Sequence, residues 1–265
     1  MTVQSGTTAA PGSADNLQAS PESAGGARAS DDGPRPEAAA TITVSPRRAA
    51  LRARRAEICF GVLLILYAVL AILANRYAYF AWDLKTERAI QSITTPGFES
   101  LMIFISALGG GWEPFALVLM AGLALFVARR RIEAVVCAVG TGIGSIIDTL
   151  LKELSGRPRP SPELVEVFKH YGRESFPSGH VFFYVEFFGF LFFLAYVLLN
   201  RGPLRRLVLI VLGTLIALVG ISRVYLGAHW PSDVVGAYLA GGIWLMLTIE
   251  VYRRLGTKQQ RNEHA

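Results

Sequence analysis

Seventeen consecutive uncharged, apolar residues fill positions 58–74, and five more apolar stretches follow at 98–128, 132–151, 181–199, 207–222 and 234–251. A helix that crosses a bilayer needs about 20 such residues, within a range of roughly 17–25. A soluble domain of 265 residues has no interior large enough to hide six of them, and only 17% of the chain is charged, against about 25% in ordinary soluble proteins. The pattern predicts an all-α fold, a polytopic membrane helical bundle with six transmembrane helices. The second stretch is interrupted by Gly109, Gly110, Gly111 and Glu113, so its first ten residues are candidates to lie outside the hydrocarbon. The last two stretches are short, and their ends are expected in the interface. Cys59 and Cys137 both sit inside apolar runs, which excludes a disulfide framework or a cysteine zinc site.

Residues 1–45 read differently. They are rich in Ala, Gly, Ser, Thr and Pro, hold no aromatic residue and show no periodicity. Such a stretch cannot bury enough apolar surface to offset its ordering entropy, and is expected to be a disordered cytoplasmic tail. It has no basic start followed by an apolar run, so it does not read as a signal peptide. The membrane domain is expected over 46–254, followed by a polar tail at 255–265. Six spans place both ends on one side, and the bases choose which. The segments before span one, after spans two and four, and after span six hold 15 Lys and Arg; the opposite face holds nine. The positive-inside rule then puts both termini in the cytoplasm of a multi-pass cell-membrane protein. The net charge of +6 is thereby explained by orientation anchors, without nucleic acid.

The outer face is nevertheless the one with chemistry. Three stretches meet there: Lys152 followed by Arg159-Pro160, then Pro177-Ser178-Gly179-His180, then Ser222-Arg223 with His229 and Asp233. Lys152, Arg159 and Arg223 supply the cations that a phosphate ester requires, the arginines as planar forks for two oxygens. Ser178 and Gly179 open a helix, where free backbone N–H groups favour anions. His229 and Asp233 are four apart, so they share one helix face. A carboxylate on one ring nitrogen would fix the tautomer and leave the other as a nucleophile. His229 is therefore the expected attacker and Asp233 its orienter. His180 is expected to protonate the leaving oxygen and then to activate water. No metal and no cofactor is needed, because the bases neutralise the phosphate.

These three motifs resemble, without departure, those of the type 2 phosphatidic acid phosphatase superfamily, the integral-membrane lipid phosphate phosphatases. The resemblance covers roughly residues 57–252. It implies a helical bundle with an outward-facing site, metal-independent hydrolysis through a phosphohistidine, His229, His180 and Asp233 as catalytic residues, and Lys152, Arg159, Ser178, Gly179 and Arg223 as phosphate ligands. Its substrates would be lipid phosphates such as undecaprenyl diphosphate, phosphatidylglycerophosphate or phosphatidic acid, with a lean to the first by analogy. Two rivals stay open: a phosphotransferase using the same site with an alcohol as acceptor, and a transporter that only binds the anion. The chain shows no internal repeat of the kind many transporters carry.

Other residues carry weaker expectations. Asp148 precedes Lys152 by four and is expected to pair with it. Glu186 has no partner in sequence; a wet cavity or a neighbouring helix's hydroxyl would satisfy it. Arg157, outside the motifs, reads as a surface residue, with a phosphate contact as the second reading. Lys169 and His170 belong to a solvated loop or a gate, and His264 to the polar end. The phenylalanines of 181–199 suit lipid contact, helix packing or an acyl or prenyl groove.

Overall fold

The computed structural model describes residues 46–169, 172 and 174–263. The expectations for the 1–45 tail, for His170 and for His264 lie outside the described residues. All elements are helical: α1 (Pro46–Arg76), α2 (Ala81–Gln91), α3 (Phe98–Ala107), α4 (Glu113–Val127), α5 (Arg131–Ser155), α6 (Gly179–Phe183), a π turn (Tyr184–Phe188), α7 (Gly189–Leu198), α8 (Pro203–Tyr225) and α9 (Pro231–Glu263). Among the described residues the sole β feature is a single bridge between Pro158 and Glu174.

Five helices are long and apolar enough to cross a membrane: Glu57–Arg76, Arg131–Ser155, Gly179–Leu198, Pro203–Tyr225 and Pro231–Thr257. The stretch expected as span two is instead α3 and α4. The break falls at the glycine triplet, where Gly111 takes a left-handed φ of 65°. A side chain there would be strained, so glycine is what allows the chain to turn. The 15 residues of α4 rise only about 22 Å at 1.5 Å per residue.

Burial ranks the spans. The most apolar window of α1 is 6% buried, whereas that of the α6–π–α7 rod is 67% buried. The rod is therefore the central post and α1 a peripheral helix. Its aromatic residues pack inward: Phe182, Phe183, Phe187, Phe188 and Phe190 are buried, with Phe183 stacked on Phe187 at 5.2 Å between centroids. Most of the phenylalanine-rich face is core, not lipid contact.

Glu186 lies in the π turn and is buried. Its partner is an indole rather than a hydroxyl: Trp244 Nε1 on α9 donates to Glu186 Oε1 at 2.8 Å and to the Gly140 carbonyl at 3.1 Å. Gly140 and Gly144 bare the α5 backbone so that the carboxyl fits, and a Cβ on Gly144 would overlap Glu186 Oε2 and lie 2.6 Å from Cδ. Gly144→Ala is expected to cost about 1–3 kcal/mol, the usual penalty of overpacking. Glu186→Gln keeps the acceptor and should melt near the parent. Thermal unfolding in detergent checks both.

Candidate active site

Lys152 stands in the last turn of α5, and Asp148 one turn earlier touches it as the i,i+4 spacing requires. The helix stops at Gly156, whose left-handed φ of 57° lets its N–H return to the Lys152 carbonyl at 3.1 Å, a common helix ending. The chain then runs extended through Arg157, Pro158 and Arg159. Arg159 Nε donates to the Gly172 carbonyl at 2.7 Å, and Nη1 donates to the Ala228 carbonyl at 2.7 Å. The same Nη1 lies 3.1 Å from His229 Nε2.

A cis Phe176–Pro177 bond precedes Ser178, the residue before α6. Ser178 is buried and its Oγ has no hydrogen-bond partner among the described residues. A Cβ on Gly179 would strike Lys152 Nζ and sit 2.7 Å from Asp148 Oδ2. Glycine is thus what lets the start of α6 close on the lysine. The ring of His180 rests on the glycine triplet: a Cβ on Gly110 would be 3.1 Å from its Nε2. The charges of Arg223, Lys152 and Arg159 and the ring of His229 all bear on it.

Arg223 ends α8, is buried, and its Nη1 contacts Ser106 Oγ on α3. Gly227 turns the chain with φ 63° and delivers His229 and then Asp233 in the first turn of α9. Asp233 Oδ2 accepts the Trp230 N–H at 2.9 Å, which caps that turn. Asp233 is 3.8 Å from His229 Nδ1, beyond hydrogen-bond reach. The ring nitrogen instead faces the Ser175 carbonyl at 2.7 Å. A carbonyl only accepts, so Nδ1 carries the proton and Nε2 the lone pair. The direct hydrogen bond from the ring to Asp233 expected from the sequence is replaced by one to the Ser175 carbonyl.

Burial, and then the charges of Arg159, Arg223 and Lys152, hold the His229 imidazole well below its ordinary range, against the opposing hydrogen bond it donates to the Ser175 carbonyl. The ring is neutral at pH 7. Its effect on stability follows. The unfolded chain takes up a proton near pH 6.5 that the native ring refuses, so this contribution is intact above pH 6.5 and falls as pH drops below it.

Sequence reasoning misplaced Arg157 and missed its neighbours. The Arg157 side chain is fully buried rather than at the surface, because it lies among carboxylates. Nη1 donates to Asp233 Oδ1 at 2.5 Å and to Ser232 Oγ at 2.7 Å, and Nη2 to Asp83 Oδ2 at 3.0 Å. Glu87, one turn beyond Asp83 on α2, is buried with neither carboxylate oxygen hydrogen-bonded among the described residues. Burial first, then Asp83 and Asp233, push its carboxyl up to about 9, so it is protonated at neutral pH. The aromatic sequence around Asp83 advertised none of this.

A cavity of about 270 Å³ opens beside Asp148, Lys152, Gly179 and His180. Pro114, Phe115, Ser145 and Phe183 line it and also line an apolar groove of about 630 Å³ between α4 and α5. A charged chamber thus runs directly into an apolar one. Among the described residues no three His, Cys, Asp or Glu side chains converge as a metal site.

Residues 133–256 match the model of the PAP2 superfamily. Phosphatidylglycerophosphatase B of Bacillus subtilis is 28% identical over 183 residues, 68% of this chain and 87% of that protein. The undecaprenyl-diphosphatase of Sulfolobus acidocaldarius is 23% identical over 198 residues, 72% of this chain and 90% of that one. Among solved structures, a transmembrane PAP2-type phosphatidylglycerolphosphate phosphatase from Bacillus subtilis superposes with a TM-score of 0.65 and 26% identity, covering 74% of this chain and 96% of its own. The protein is a multi-pass membrane phosphoric ester hydrolase.

Proposed function

We propose that the protein hydrolyses a lipid phosphate mono- or diphosphate ester through a phosphohistidine on His229, without a metal. The observation that carries this reading is the Arg159 guanidinium 3.1 Å from His229 Nε2, with Arg223 and Lys152 acting on the same ring. A nucleophilic lone pair therefore faces the cations that would hold a phosphoryl group. Nε2 attacks phosphorus and the ester P–O bond breaks while His180 gives its proton to the leaving oxygen. Water then loses a proton to His180 and attacks phosphorus, and the P–N pair returns to Nε2. Lys152, Arg159, Ser178, Gly179 and Arg223 bind the phosphoryl oxygens, and Asp233 orients the ring through Ser175, whose carbonyl keeps the attacking tautomer.

The apolar groove beside the cavity suits a substrate whose tail stays among helices while its head enters the chamber. Phosphatidylglycerophosphate, undecaprenyl diphosphate and phosphatidic acid all have that form; related proteins are named for the first two. We further read α3–α4 as the sixth crossing, both termini as cytoplasmic and the site as facing outward.

Phosphate release from a panel of these lipids by purified protein, run beside a catalytically dead variant, tests the assignment. EDTA should leave the rate unchanged, and a strict divalent-metal requirement would contradict the mechanism. With p-nitrophenyl phosphate, whose leaving group needs no proton, phosphoenzyme formation should persist below pH 6.5, because the His229 ring stays neutral there. A rate that halves near 6.5 would mean an ordinary exposed imidazole.

A further inference from the structure

The ion cluster around Arg157 lies behind the proposed nucleophile and touches none of the proposed phosphate ligands through its guanidinium. We propose that Arg157, Asp83 and Ser175 are positioning residues that aim His229, an inference that rests on His229 being the attacker.

The chain of contacts is closed. Arg157 Nη1 holds Asp233 Oδ1 at 2.5 Å. Asp233 Oδ2 accepts from Ser175 Oγ at 2.5 Å. The Ser175 N–H donates to the Arg157 carbonyl at 2.8 Å. Arg157 therefore fixes Ser175 twice, through its own backbone and through Asp233. The Ser175 carbonyl in turn holds His229 Nδ1 at 2.7 Å. Since Asp233 is 3.8 Å from that nitrogen, the ring's aim depends on where the Ser175 carbonyl is placed.

Asp83 closes the other side. Its Oδ2 receives Arg157 Nη2 at 3.0 Å and Ser232 Oγ at 2.7 Å, and Oδ1 receives the Ser232 N–H at 2.8 Å. Arg157 Nε donates to the carbonyls of Tyr77 and Ala78 at 3.2 and 3.1 Å. Asp83 also caps α2 by accepting the Phe80 N–H at 2.9 Å. Only a planar fork can serve Asp233, Ser232, Asp83 and two carbonyls at once; an ammonium cannot. Small displacements of a nucleophile are costly, since about 1 Å can lower a rate on the order of 100-fold.

The test uses the full chain in detergent with radiolabelled phosphatidic acid, comparing the parent with Arg157→Lys, Asp83→Asn and Ser175→Ala. Rapid quench reads the rate of forming an acid-labile phosphoenzyme; vanadate inhibition reads the phosphate site separately. In Arg157→Lys the phosphorylation rate should fall about 100-fold while the vanadate inhibition constant and KM hold. Guanidinium added to Arg157→Ala should restore part of the rate, which a merely structural plug would not allow. If the arginine variants do not fold, Asp83→Asn and Ser175→Ala decide, and both should lose rate with vanadate binding kept. Parental phosphorylation rates in the variants, or vanadate affinity falling in step with rate, would overturn the inference. A parent that forms no phosphoenzyme overturns the His229 reading, and this inference with it.

Discussion

His229→Ala should abolish phosphate release and phosphoenzyme formation while the protein still inserts and melts like its parent. The Nε2 lone pair of the ring faces Arg159, and alanine leaves no atom to accept the phosphoryl group. Covalent catalysis has no partial substitute in the pocket, because His180, whose ring rests against the glycine triplet, is committed to proton transfer in the proposed mechanism. The residual rate should be that of a site able to bind but not to react, a loss on the order of 10⁴–10⁶-fold by comparison with other covalent nucleophiles. Vanadate should still bind, since Lys152, Arg159 and Arg223 remain. His180→Ala gives a different signature: phosphoenzyme should form from p-nitrophenyl phosphate but fail to turn over. Turnover near the parental rate in His229→Ala would reject the mechanism, and a transporter reading would then regain ground.

Gly227→Ala should be the most damaging small substitution in the chain. Gly227 has φ 63°, where an L side chain costs about 1–2 kcal/mol. Its added Cβ would also land on the Glu166 carbonyl oxygen and 3.0 Å from Val167 Cα. Those are backbone atoms, and they cannot swing aside. The 166–168 segment is strapped over the end of α8 by Gln91, which donates to the Glu166 carbonyl at 2.7 Å and the Tyr225 carbonyl at 3.0 Å. Adding about 1–3 kcal/mol for overpacking, the melting transition should drop by the equivalent of about 2–5 kcal/mol. Because His229 lies two residues on, residual folded protein should also be slow. A melting curve matching the parent would show that the strap yields more easily than these contacts imply.

What could be read in advance depended on distance along the chain. Asp148 and Lys152 pair across one helical turn, and that spacing is visible in any sequence. The three motifs each sit within a short segment, and the order of the spans was enough to anticipate that Lys152, Gly179 and His180 line one cavity and that Arg159 meets His229. Glu186 was opaque because its indole partner lies 58 residues away on another helix. Arg157 was misread for the same reason: Asp83 is 74 residues before it, in a helix that no motif marks. The grip on His229 Nδ1 was hidden more deeply, because a backbone carbonyl leaves no trace in residue identity. The interruption of 98–128 was legible in the three glycines, which already marked its first ten residues as candidates to leave the hydrocarbon; the full separation into two helices was not.

The family match begins at residue 133, yet Arg157, besides its pair with Asp233, also pairs with Asp83, fifty residues before that match begins. A chimaera that transplants 133–256 onto a foreign amino-terminal half would keep the Arg157–Asp233 pair but lose the Asp83 carboxylate that receives Arg157 Nη2, Ser232 Oγ and the Ser232 N–H. Each buried hydrogen bond to that charged group contributes about 1.5–3 kcal/mol. For anyone recombining these enzymes, the smallest transferable cassette therefore starts before α2, not where sequence similarity begins.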